Sequence, residues 1–139
     1  GRFLNMGVEE YQFVSALNCV LAQRLVRKIC VHCKRPAKIT RAQLIESGLD
    51  PALEDSGLFF EGAGCIECGG TGYKGRIAIC ELLDLSDNIR ELILARRPAS
   101  EIKKAARDEG MRFLRESAVE QLLKGITTLR EINKVTFVE

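Results

Sequence analysis

Four cysteines stand in two C-x-x-C pairs, Cys30-Val31-His32-Cys33 and Cys65-Ile66-Glu67-Cys68. Two intervening residues let one tight turn aim both sulfurs at a single point, and two such turns deliver the four thiolates of a closed, tetrahedral structural Zn²⁺ site. The same thiols could pair as two disulfides or stay reduced without metal. Glycine or lysine follows each pair directly, and the amino terminus lacks the charged, apolar and small-residue succession of a secretory signal. Reducing compartments favour thiolate metal sites over disulfides, so we expect one Zn²⁺ on Cys30, Cys33, Cys65 and Cys68 in a cytoplasmic protein. His32 lies between the thiols of one knuckle and is expected to point away from their shared target, as a surface residue. Cys19 and Cys80 fall in apolar stretches and read as buried small hydrophobes.

Catalytic equipment is missing. A four-thiolate shell leaves a metal no open position for substrate. The chain has one histidine, inside a knuckle, so a Ser-His-Asp or Cys-His system has nothing to be built on. Glu9-Glu10 and Asp108-Glu109 are adjacent carboxylates at expected helix ends, where solvated caps are the ordinary role. The run Gly69-Gly70-Thr71-Gly72-Tyr73-Lys74-Gly75 is rich in glycine, but no glycine in the chain is followed directly by lysine, so there is no phosphate-binding P-loop. These glycines are expected to let the backbone wrap the metal knuckle and turn back on itself.

Elements must bring the two knuckles together across the long spacer from Lys34 to Gly64, which exceeds that of a compact zinc ribbon. Tyr11, Val14, Leu17, Leu21 and Leu25 recur at three- and four-residue steps, predicting an amphipathic helix from about Glu9 to Lys28 that stops at the first knuckle. Thr40 and Gln43 form a capping box that starts a short helix, and Asp50-Pro51 opens a turn. Leu58 to Glu61 reads as a short strand feeding the second knuckle, and Arg76 to Leu85 as a largely buried strand. Beyond it the chain is helical: Ser86 caps one helix, Ser100 the next, a third carries Phe113 to Leu123, and Thr128-Leu129-Arg130-Glu131 is a second capping box.

Composition sets outer limits. With 139 residues, 46% of them hydrophobic and 29% charged, the chain can bury a core and belongs among globular proteins. Its formal charge of +2 comes from nearly equal basic and acidic counts, so no nucleic-acid partner is expected. No apolar run approaches the ~20 residues of a membrane span.

The succession Arg2-Phe3-Leu4, Met6-Gly7-Val8-Glu9, Leu21-Ala22-Gln23-Arg24-Leu25-Val26-Arg27, the two knuckles, Gly72-Tyr73-Lys74-Gly75-Arg76, Glu81-Leu82-Leu83 and Gly125 to Glu131 resembles the carboxyl-terminal part of the type II secretion and type IV pilus assembly ATPases. The resemblance implies an α/β, RecA-like motor of which this chain is a mostly α-helical part with a few short strands and a tetracysteine zinc subdomain. It divides the chain into 1–29, the end of the ATPase core, 30–75, the tetracysteine subdomain, and 76–139, a strand followed by a helical subdomain. The parent would be a homo-hexamer, peripheral on the cytoplasmic face of the inner membrane, that binds ATP and Mg²⁺, meets inner-membrane platform proteins and drives pseudopilus or pilus assembly. Its nucleotide motifs would lie upstream of Gly1, so the chain itself is expected to be no enzyme. Arg24, Arg27 and Arg76 adjoin the knuckles and are candidate interface contacts, because a guanidinium grips a carboxylate or phosphate through two parallel bonds. Two rivals remain at this point: a freestanding zinc-stabilised interaction module, and a DnaJ-like chaperone zinc domain, which Cys65-x-x-Cys68-x-Gly70-x-Gly72 fits but Cys30 to Pro36 does not.

Overall fold

A computed structural model of the protein describes residues 19–136. Strand β1 (Cys19–Ile29) pairs with β4 (Tyr73–Asp84) in one two-stranded sheet, and β2 (Lys34–Pro36) pairs with β3 (Phe60–Gly62) in another. Between β2 and β3 lie helix α1 (Arg41–Glu46) and a 3-10 turn (Pro51–Asp55). After β4 come α2 (Asp87–Leu94), α3 (Ala99–Asp108), α4 (Leu114–Leu123) and α5 (Leu129–Val135). The fold is thus a mixture of helices and a few strands, and β1 and β4, with 11 and 12 residues, are longer than the short strands expected.

The segment expected to end a long helix, 19–28, is extended; the earlier part of that helix, 9–18, lies outside the described residues. Exposure accounts for the difference: Leu21 and Leu25, read as one buried helical stripe, are 58% and 54% exposed, while Val26 and Ile29 are buried. A few leucines three or four apart fit more than one period, and the ladder with β4 decides between them.

Local capping signals are realised where the backbone alone can satisfy them. Thr40 accepts from the Gln43 N–H and the Gln43 side chain accepts from the Thr40 N–H, closing the box at α1. Ser86 accepts from the Ile89 N–H at α2. Ser100 does not cap α3, because Pro98, with φ −56°, takes the position before the helix and leaves Ser100 inside its first turn. Phe113 precedes α4 instead of joining it.

The chain forms two compact units. One contains 81–113, where Leu83, Leu85, Ile89, Ile93, Ile102, Ala106 and Phe113 make a buried cluster. The other comprises 23–80 and 114–139, with a core of Val26, Ile39, Leu44, Phe59, Ile79, Ala118, Leu122 and Ile132. The cysteine pairs belong to this second unit. There the chain from 126 to 136 closes against β1: the Ile29 N–H donates to the Ile126 carbonyl at 2.9 Å and the Thr127 hydroxyl to the Arg27 carbonyl at 2.7 Å.

Candidate metal centre

Each knuckle is held by strands on both sides. β1 delivers Cys30, whose N–H donates to the Gly72 carbonyl at 3.0 Å. β2 leaves Cys33 and β3 leads to Cys65, and their antiparallel register sets Lys34 against Gly62 and Arg35 against Glu61. The spacer from Lys34 to Gly64 is therefore a hairpin arm with α1 inserted in it, and its paired ends bring the knuckles face to face. One more backbone bond, Ala63 N–H to the Cys33 carbonyl at 3.0 Å, continues that pairing to the edge of the site.

The four sulfurs lie within 4.8 Å of one another. Cys30 to Cys65 is 3.8 Å, Cys33 to Cys68 is 3.9 Å and Cys65 to Cys68 is 3.7 Å. Corners of a tetrahedron around bonds of about 2.3 Å stand about 3.8 Å apart, so these thiols fit a tetrahedral metal ion. They are too far apart for disulfides, and all four are free. His32 is exposed and no member of the group.

Backbone N–H groups aim at the sulfurs as they would at thiolates. Gly64 donates to Cys33 at 3.3 Å, while Cys65 and Gly72 each donate to Cys68 at 3.2 Å. Burial pushes the Cys68 thiol up, but the two N–H donors and the Cys65 and Cys33 thiols hold it down at about 6. Cys33 is pushed up to about 11 by burial and by the Cys65, Cys30 and Cys68 thiols, against the Gly64 N–H. Cysteine ligates a metal as the thiolate, so the N–H groups aimed at Cys68 and Cys33 favour the form that a metal ion would bind.

Of the arginines singled out, Arg24 is exposed and donates to the neighbouring Gln23 carbonyl at 2.8 Å, and Arg76 is exposed on β4. Arg27 does grip a carboxylate, but one of its own chain: its Nη2 lies 3.0 Å from Glu131 Oε2, its N–H donates to Glu131 Oε1 at 2.8 Å, and its guanidinium stands over the Tyr73 ring at 4.0 Å. Glu131 was legible only as the fourth residue of a capping box. Thr128 does accept from the Glu131 N–H, but the carboxylate is spent on β1. Cys80 is half-buried and not fully enclosed, and its sulfur accepts from Gln23 Nε2 at 3.6 Å. The Cys19 side chain lies outside the described residues.

The Glu131 contact makes stability depend on pH. Burial raises its carboxyl, but the Arg27 guanidinium and N–H, with Lys134, more than offset this and hold it below the usual carboxylate range. A carboxyl depressed in the folded state contributes its full stabilisation above the unfolded value of about 4.3 and loses it as pH falls through the folded value. Glu131→Gln is expected to cost about 2 kcal/mol at pH 7 and to flatten the acid limb of the stability curve, measured by urea unfolding between neutral and acid pH.

A family model described as Type II/IV secretion system protein matches residues 1–134. The chain belongs to that family. It is 48% identical over 131 residues to the type IV pilus assembly ATPase PilB of Thermus thermophilus, a stretch covering 94% of this chain and 15% of that protein. It is 39% identical over 135 residues to the type II secretion system protein HxcR of Pseudomonas aeruginosa, covering 97% of this chain and 25% of HxcR. Against the type II secretion system protein E of the same organism the identity is 36% over 135 residues, covering 97% of the chain and 26% of the relative. The chain therefore corresponds to a region of the type II secretion and type IV pilus ATPases and spans about a quarter or less of these relatives. No helix among the described residues is long and apolar enough to cross a membrane.

Proposed function

We propose that this region is the zinc-pinned part of a secretion or pilus assembly motor, and that the metal on Cys30, Cys33, Cys65 and Cys68 is Zn²⁺ with a structural role. The observation that carries this is the set of sulfurs at tetrahedral spacing, in a chain of the secretion ATPase family. A thiolate shell with no open position adds no chemistry, so what the metal supplies is a rigid surface whose geometry it fixes. The parent is a RecA-like hexamer on the cytoplasmic face of the inner membrane, using ATP and Mg²⁺, and the pinned region passes its motion to the platform that assembles pilins or pseudopilins. Arg24 and Arg76, exposed beside the knuckles, are candidate contacts with a neighbouring subunit or membrane partner; Arg27 supports the site from within. Family membership leaves the freestanding-module and chaperone readings without a supporting observation.

The decisive experiment changes Cys30 and Cys33 to Ser in the intact motor and measures both ATP turnover and piliation or secretion. Assembly is expected to fall by more than tenfold while basal ATP turnover falls by less than about threefold, a gap of at least ~0.7 kcal/mol in coupling. Equal losses would mean that the centre merely holds the protein together, and unchanged assembly would remove its role.

A further inference from the structure

We propose that the cleft between α1 and α5 is a binding site for a phosphate group, independent of the metal centre. The cleft has a volume of about 510 Å³ and is lined by the apolar Ile39 and Leu129 and by the cations Lys38 and Arg130, among others. Both cations are exposed.

A third cation is buried. Arg115 is 8% exposed, and its guanidinium donates to the Ser47 carbonyl at 2.7 Å, to Asn133 Oδ1 at 2.7 Å and to Thr136 Oγ1 at 3.1 Å. All three acceptors are neutral, and all three residues line the cleft. A buried guanidinium ordinarily faces a carboxylate, because an uncompensated charge in a low dielectric is costly. Burial pushes Arg115 down from its ordinary value, and among the described residues no acid opposes this. Its field therefore reaches the cleft through the polar groups it orients.

Among the described residues, Glu46 is the one acid that lines the cleft. Lys38, Arg130 and Arg115 exceed it by two positive charges, which matches a phosphate dianion better than a single carboxylate. Gln43 adds a side-chain amide to the lining, and the apolar lining residues suit the organic part of a phosphate ester. The α1 segment is fastened to α5 through this polar layer, since Asn133 Nδ2 also donates to Ser47 Oγ at 3.1 Å. The site is thus built from two elements that a bound anion would bridge.

Titrating the zinc-loaded chain with inorganic phosphate, in a buffer free of other polyvalent anions, tests this by amide NMR. Saturable shifts are expected at Lys38, Gln43, Ser47, Arg130 and Asn133. The double variant Lys38→Gln/Arg130→Gln should weaken binding about tenfold, and Glu46→Gln should tighten it about threefold, since removing the opposing charge favours the anion. Tightening is a result that damage to the fold does not produce. Capture by vesicles of an anionic phospholipid but not of a zwitterionic one, lost in the double variant, would identify the phosphate as a lipid headgroup; phosphate binding without vesicle capture would identify it as a soluble ligand. Absence of saturable shifts, or equal affinity in the parent chain and the double variant, would overturn the assignment.

Discussion

Removing the metal from this chain is expected to unfold the knuckles and the short hairpin of β2 and β3 that joins them. The expectation follows from how little else holds those two segments, whereas Ile39, Leu44 and Phe59 anchor the rest of the arm in the core. β2 and β3 pair over three residues each, β2 is exposed throughout, and the Arg35–Glu61 pair across them is a solvated one at 3.4 Å. Exposed ion pairs contribute about 0–1 kcal/mol, and a hairpin of that length is not stable alone. Val31 and Ile66, the apolar residues inside the knuckles, are 77% and 97% exposed and add no core. Metal binding in zinc-finger peptides supplies on the order of 10 kcal/mol at neutral pH, which dominates every other contribution within the knuckles and their hairpin. Protein purified without added zinc should carry one Zn²⁺ per chain, and a strong chelator should abolish amide protection from 30 to 36 and from 60 to 72, while α1, anchored by Leu44, keeps more of its own. The helices α2 and α3 pack on a cluster of their own and should keep more of their protection. Cys65→Ser should cost several kcal/mol, against under about 1 kcal/mol for Cys80→Ser, where a half-buried thiol makes one weak contact. A metal-free chain with full protection in the knuckles and their hairpin would sink the structural role of the metal.

How much of this was legible in the sequence depends on the range of the interaction concerned. Knuckles and caps are written in neighbouring residues: the two-residue gap between cysteines, Thr40 with Gln43, Ser86 before Ile89. The strand β1 was not, because what makes 19–29 extended is a ladder with β4, some fifty residues further along. Convergence of the knuckles was expected from the two pairs, but not its means, the register of β2 and β3 across the inserted helix α1. Glu131 and Arg115 show the same limit at the level of single side chains. One sits in a capping signal and the other in the first turn of α4, yet they bond to Arg27 and to Ser47, 104 and 68 residues away. Local periodicity carries no record of such partners, whereas a capping box or a C-x-x-C pair contains both halves of its own contact.

Gly72→Ala is expected to be among the most damaging changes that touch neither a cysteine nor the hydrophobic core. Gly72 has φ +83°, where a side chain is strained, and a Cβ there would stand 2.6 Å from the Gly62 carbonyl oxygen. The contact is with backbone, so no flexible side chain can yield. Gly62 is held in turn by its pairing with Lys34. Retreat of residue 72 is also blocked, since its carbonyl accepts from Cys30 and its N–H donates to Cys68. Any shift that relieves the clash therefore moves two of the four sulfurs. Strain in the left-handed region costs about 1–3 kcal/mol and overpacking typically another 1–3, so a loss of about 3–5 kcal/mol is expected. Gly69→Ala supplies the control: its φ of +66° imposes the same kind of backbone strain, but nothing lies within 4 Å of a Cβ at that position. It should cost only about 1–2 kcal/mol. Denaturant unfolding of the zinc-loaded variants gives the two stabilities, and competition with a chelator gives the metal affinities, which should fall at least tenfold for Gly72→Ala and little for Gly69→Ala. Equal losses at the two glycines would mean that backbone conformation alone, and not the close approach of the two chains behind the knuckles, is what the glycine-rich loop provides.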